Sequence, residues 1–146
     1  MVTTMALFLI TRGTGFIGSY VVDNLLRHQY NVRIAVRNDV SSKRVLAIHK
    51  KYKDQIDSTL VEDIATEGAF DEALKGVEGV VHMASPFKYR IEDSEKDLIV
   101  PAVNGTTGIL KSTLKFAPEV KRTVLTSSFA AIRGLQPWTV AGTCLR

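Results

Sequence analysis

The chain has 146 residues, 45% of them hydrophobic and 23% charged, which is one domain's length with enough apolar content for a real core but short for a complete two-lobed enzyme. Nineteen lysines and arginines oppose fifteen acidic residues, and the formal +4 is scattered, which argues against a nucleic-acid surface; the densest basic cluster, His49-Lys50-Lys51 with Lys53, reads as a solvated helix end. The single cysteine, Cys144, excludes an internal disulfide and leaves no zinc-like Cys/His spacing, and no apolar run reaches the ~18 residues of a membrane span, so a soluble, cytoplasmic protein without metal is expected.

The first apolar run, Ala6-Leu7-Phe8-Leu9-Ile10, has the length of a buried strand. It leads directly into Thr11-Arg12-Gly13-Thr14-Gly15-Phe16-Ile17-Gly18, in which Gly13, Gly15 and Gly18 satisfy G-x-G-x-x-G. That spacing serves a dinucleotide: the first glycine permits a tight turn, the second lets backbone approach a pyrophosphate, and the third packs helix on strand. Ile17, Tyr20, Val21, Val22, Leu25 and Leu26 then recur at helical spacing, so the helix N-terminus faces the phosphates.

Val32, Ile34 and Val36 alternate with Arg33, Ala35 and Arg37, predicting a second strand that closes a β-α-β unit. At the end of such a strand an acidic residue binds a ribose 2′-hydroxyl, whereas an arginine accepts a 2′-phosphate. Arg37, with Lys43 and Arg44 close behind, favours NADP; Asp39, two residues on, keeps NAD as the alternative.

Ser41 or Ser42 is the expected cap of a helix through Ile48 and Tyr52. A short third strand follows at Ser58 to Val61, then a short crossover helix from Glu67 to Lys75 with Phe70, Ala73 and Leu74 on one face. A fourth strand within Val77 to Met83 stops at Ala84-Ser85-Pro86, whose small side chains suit a close-lying nicotinamide ribose. His82 on that strand is expected to be a packed core residue rather than an acid or base. Ser94 with Asp97 resembles a capping box opening a long helix with an apolar face of Leu98, Ala102, Val103, Ile109, Leu110 and Leu114, and with a kink or close packing at Pro101 and Gly105. Val120 to Leu125 is the fifth strand, with Thr126-Ser127-Ser128 at its carboxyl end. Residues 134–146 carry no sustained period and are expected to form an irregular tail. The β-α alternation and right-handed crossovers predict an α/β, Rossmann-type doubly wound parallel sheet of order 3-2-1-4-5 over residues 1–133.

In sequence the chain resembles the extended short-chain dehydrogenases/reductases, the NAD-dependent epimerase/dehydratase family, in its dihydroflavonol-reductase-like and yeast aldehyde-reductase branch. The resemblance runs over about residues 5 to 133, through Thr11 to Gly18, Val36-Arg37, Glu62-Asp63-Ile64, Val81 to Phe87, Asp97 to Thr106 and Val124 to Ser128. It implies that Gly13, Thr14, Gly15, Phe16 and Ile17 lie along the pyrophosphate, that Arg37 with Lys43 grips the 2′-phosphate, and that Asp63 and Ile64 border the adenine. Met83, Ala84 and Ser85 would line the nicotinamide-side ribose, and Ser128, with Ser127 as its structural neighbour, would hydrogen-bond a substrate carbonyl oxygen.

Two departures stand out. Arg12 occupies the first glycine position of the family's Thr-Gly-x-x-Gly-x-x-Gly, where a side chain at φ > 0 costs about 1 kcal/mol or more; weakened cofactor binding is expected, against which stand the flexibility Gly13 offers one residue later and the ability of a guanidinium to pair with phosphate. The family's Tyr-x-x-x-Lys, its proton donor and pKa-lowering partner, is absent from these residues, because none of Tyr20, Tyr30, Tyr52 and Tyr89 has a lysine four positions on; the substrate-binding lobe is also absent. The expected function is the cofactor-binding half of an NADPH-dependent carbonyl reductase acting on an aldehyde or ketone, inactive as a truncated chain. The alternative is a non-catalytic dinucleotide-binding or protein-interaction module, with self-association through an exposed sheet edge.

Overall fold

A computed structural model describes residues 5–86 and 91–128. Five parallel strands, β1 (Leu7–Thr11), β2 (Asn31–Val36), β3 (Ile56–Leu60), β4 (Gly79–His82) and β5 (Arg122–Leu125), form one sheet in the order β3-β2-β1-β4-β5. This is the predicted doubly wound order, and all four strand pairings are parallel. The expected tail over 134–146, with Trp138 and Cys144, lies outside the described residues.

A parallel sheet covered on both faces needs apolar side chains on both, and β1 supplies them alternately. Leu9 joins Phe70, Leu74, Val77, Val80 and Ile109 on one face, and Ile10 joins Val22, Leu26, Ile34, Val36 and Val45 on the other. The second face is covered by α1 (Phe16–Arg27) and α2 (Asp39–Ile48), the first by the turns of residues 66–77 and by α3 (Val100–Phe116).

Several local expectations are corrected. The cap of α2 is Asn38, whose side chain accepts the Ser41 N–H at 2.9 Å; Ser42 instead shares a hydrogen bond with Ser58 on β3 at 2.6 Å. The helix stops at Ile48, and Tyr52 belongs to a separate 3-10 turn.

The predicted crossover helix at 67–75 is a run of tight turns, with i→i+3 bonds such as Asp71 N–H to Gly68 O and Val77 N–H to Leu74 O. Gly68 and Gly76, both at φ +74°, bound it. The carbonyls of Ala73 and Lys75 at its end accept from the Arg33 guanidinium, which also pairs with Asp57 across the β2–β3 register. The predicted face survives: Phe70, Ala73 and Leu74 are buried.

Ser94 makes no side-chain cap. Asp93 does, accepting N–H groups of Glu95 and Lys96, while Asp97 reaches back to the N–H of Asp93. A π-helical turn over Glu95–Ile99 precedes α3, and Pro101, which has no N–H to donate, sits where the ladder resumes its α form. The predicted apolar face of α3 is only partly the buried one: Gly105, Ile109, Ser112 and Thr113 face inward, whereas Leu114 is 82% exposed. Gly105 brings close packing, since a Cβ there would stand 3.2 Å from Ile64 Cδ1, and Ser112 donates to the Asp71 carboxylate at 2.6 Å.

Candidate functional site

The carboxyl ends of β1, β2 and β4 open on one side of the sheet, where a doubly wound fold leaves a crevice for a ligand. Two adjoining cavities fill it. One of about 310 Å³ is lined by Thr11, Arg12, Thr14, Gly15, Ala35, Val36, Arg37, Asn38, Ser41, Val61, Ile64 and Ala84. The other, of about 300 Å³, is lined by Arg12, Gly15, Phe16, Ile17, Gly18, Met83 and Thr126. Arg12 and Gly15 belong to both, so the glycine loop is the bridge between two halves of an elongated cleft.

The three glycines have separate physical reasons. A Cβ on Gly18 would meet the Arg12 carbonyl oxygen at 2.2 Å and Gly13 Cα at 2.9 Å, so the first turn of α1 can lie against the loop only without a side chain. At Gly13 a Cβ would press on Ile34 at 2.9 Å. Gly15 donates to Arg12 O at 3.0 Å, closing the turn, and stands at the N-terminus of α1 with no side-chain cap and no acidic residue in the first turn. That helix end offers N–H groups and a positive dipole to an anion.

The conformational demand of the turn falls on Arg12, at φ +56°, and not on Gly13, which is absent from the positive-φ set. The strain expected of a side chain there is therefore present, and Gly13 does not relieve it.

Thr11 ties the cleft floor together. Its buried Oγ1 accepts the N–H groups of Met83 and Ala84, each at 2.9 Å, and lies 3.1 Å from His82 Nδ1. A hydroxyl that accepts two bonds has one proton left to give, so Thr11 donates to Nδ1 and the ring proton of His82 resides on Nε2. That nitrogen is buried and without a hydrogen-bond partner among the described residues; the ring packs edge-on to Phe70 at 5.9 Å. Desolvation holds the His82 pKa below the ordinary histidine value, as expected of a packed core residue.

The structure brings together Gly13, Thr14, Gly15, Phe16, Ile17, Gly18, Arg37, Ile64, Met83 and Ala84 at or beside the cleft. Four predicted site residues stand apart from its lining. Lys43 is exposed on α2, and Asp63 turns its carboxylate to the Ala65 N–H at 2.9 Å. Ser85 is exposed after β4, and Ser128 is exposed beyond β5. Sequence reasoning missed Asn38, Ser41 and Val61. Asn38 carried a usable signal, an Asn immediately before an acidic first turn; Val61 carried none, because its place follows from where β3 ends.

The lining is suited to a dinucleotide. It contains two arginines and no carboxylate, and at Gly18 the glycine loop and the start of α1 lie too close together for a side chain, which keeps the helix N-terminus at the cleft. Residues 9–137 match the sequence model of the 3-beta hydroxysteroid dehydrogenase/isomerase family. The chain belongs to this family. Among its relatives, a ketoreductase, azaE of Aspergillus niger, is 42% identical over 128 residues, 85% of this chain and 38% of its own. A bifunctional dihydroflavonol 4-reductase/flavanone 4-reductase of Malus domestica is 40% identical over 124 residues, 84% of this chain and 35% of its own. Among solved structures, yeast methylglyoxal/isovaleraldehyde reductase Gre2 complexed with NADPH superposes with a TM-score of 0.80 at 38% identity, covering 86% of this chain and 38% of that one. The Candida albicans Gre2 complex with NADPH gives 0.81 at 34% identity, again covering 86% and 38%.

These similarities bear out the resemblance to reductases of the extended short-chain family and the Rossmann-type sheet. The chain spans little more than a third of the length of these relatives. No helix among the described residues is long and apolar enough to cross a membrane.

Proposed function

We propose that these residues form the cofactor-binding part of an NADPH-dependent carbonyl reductase that reduces an aldehyde or ketone in the cytoplasm. The observation that carries this reading is the lining of the cleft: a glycine cradle at an uncapped helix N-terminus, flanked by two guanidiniums and no carboxylate. Arg37 follows directly on β2 and lines the cleft, whereas Asp39, the residue that favoured NAD, lies in the first turn of α2 and does not. Two of the reductases with similar structures are complexes with NADPH.

When bound, NADPH supplies a hydride to the carbonyl carbon while the carbonyl oxygen takes a proton. In this reading Gly13 to Gly18 receive the pyrophosphate, Arg37 the 2′-phosphate and Ile64 the adenine, with Lys43 and Asp63 bordering those two groups from outside the lining. Met83, Ala84 and Ser85 hold the nicotinamide-side ribose, and Ser128 donates a hydrogen bond to the substrate carbonyl. The proton donor expected of such a reductase, a tyrosine four residues before a lysine, is not among these 146 residues, so this chain by itself binds cofactor without turning it over.

Calorimetric titration with NADPH and NADH tests the binding, with tighter NADPH binding expected; tighter NADH binding overturns the role given to Arg37. Mixing the chain with NADPH and a panel of aldehydes is expected to leave the cofactor unoxidised, and sustained oxidation overturns the claim of inactivity. The half-exposed Val124 and Leu125 on β5, the outermost strand on that side among the described residues, favour, as a second reading, a module that associates with itself or a partner. Concentration-dependent sedimentation expected of such an edge is the check, and a strictly monomeric chain removes self-association.

A further inference from the structure

Arg12 is the residue that the two halves of the cleft share together with Gly15, and its backbone is held in the left-handed region at φ +56°. Its side chain lies over the helix start: a Cβ on Gly15 would meet Arg12 Cγ at 3.3 Å and Nε at 3.5 Å. The stem thus covers the glycine, and the side chain lies along the cleft at the uncapped N-terminus of α1. Among the described residues no carboxylate pairs with Arg12 or with Arg37. A guanidinium carried on left-handed backbone, without an anionic partner among the described residues and beside the N–H groups of a helix start, is suited to a planar, bidentate anion contact.

Resting on the nucleotide reading above, we propose that Arg12 is a phosphate clamp, gripping the pyrophosphate from above the glycine loop while Arg37 grips the 2′-phosphate. The two arginines then divide the ligand's charge between them: Arg12 serves any dinucleotide, and Arg37 selects the phosphorylated one. An Arg12 side chain that occupied the pyrophosphate's own space would instead weaken every nucleotide, and that is the outcome that overturns the clamp.

Calorimetric titration with ADP-ribose and with its 2′-phosphate, at low and high salt, decides between them. Arg12→Met keeps the bulk and removes the charge; it is expected to weaken both ligands about tenfold and to flatten the salt dependence of both. Arg12→Lys is expected to recover part of the loss. Arg37→Met is expected to weaken only the 2′-phosphate form. Equal or tighter binding by Arg12→Met, or a loss confined to the 2′-phosphate form, overturns the clamp and leaves the nucleotide site intact. Tight binding seen only with Arg12→Gly does the same and identifies Arg12 as an obstruction. Failure of the folded wild-type chain and all variants to bind either ligand overturns the nucleotide reading and the clamp with it. Circular dichroism of each variant reports that it is folded.

Discussion

Thr11 Oγ1 stands 3.1 Å from His82 Nδ1 and joins the end of β1 to the end of β4 across 71 residues of sequence. The same oxygen holds the N–H groups of Met83 and Ala84, so one hydroxyl sets the path of the chain where the cleft floor begins. Thr11→Val deletes that oxygen at nearly constant volume and leaves two backbone donors and a buried ring nitrogen without a partner. A loss of about 2–4 kcal/mol of stability is expected, measured by urea unfolding, with Thr11→Ser recovering most of it. A loss below half a kilocalorie means the hydroxyl is not what holds the floor.

Two histidines make stability depend on pH. Desolvation lowers the pKa of His82, and it lowers that of His49 against an opposing pull from the Asp23 carboxylate. The folded state therefore prefers both neutral, while the unfolded chain takes up protons near about pH 6.5. Unfolding midpoints should stay level above that pH and fall as pH drops below it, because the unfolded state then binds more protons. His82→Gln should make the decline shallower; an unchanged slope removes His82 from the account.

Among the described residues two that are not glycine carry left-handed backbone, Arg12 at φ +56° and Gln29 at φ +64°. Gln29 ends α1 in a Schellman arrangement, its N–H bonding Leu26 O while Tyr30 N–H bonds Leu25 O. Gln29→Gly should gain about 0.5–1 kcal/mol net, strain relief less the greater freedom of unfolded glycine, raising Tm by about 2–4 °C. Arg12→Gly should gain a similar amount in the absence of ligand. Lower melting temperatures for both variants contradict strain at these positions.

Gly18 is the most constrained glycine of the loop, with the space for a Cβ taken by the Arg12 carbonyl. Gly18→Ala has to push α1 away from the loop, and a cost of about 1–3 kcal/mol follows from forcing volume into a packed contact. Because the same shift moves the helix N-terminus, NADPH binding measured by calorimetry should fall with it. Gly76→Ala is the contrasting control: nothing lies within 4 Å of its Cβ position, but φ +74° makes it strained, so it should lose stability without losing binding.

The sequence alone determined the order of elements, the sheet topology and the glycine cradle, since alternation, helical spacing and G-x-G-x-x-G are local patterns that report buried faces and tight turns directly. It also marked Arg37 at the end of β2 and Arg12 as the residue bearing the turn's strain. Where it misjudged, distant groups had intervened. The segment over 67–75 keeps its apolar face but runs as tight turns, with Gly68 and Gly76 at positive φ and its last carbonyls tied to Arg33, forty residues before Ala73. Likewise α3 turns Gly105 and Ser112 inward because Ile64 and Asp71 are there to meet them. Which side chains line the cleft was likewise a tertiary decision: Asn38 and Val61 enter it and Lys43 and Asp63 stay out, because a cleft is enclosed by the ends of several strands, and the meeting of those ends is set by packing across the sheet rather than by any one stretch of chain.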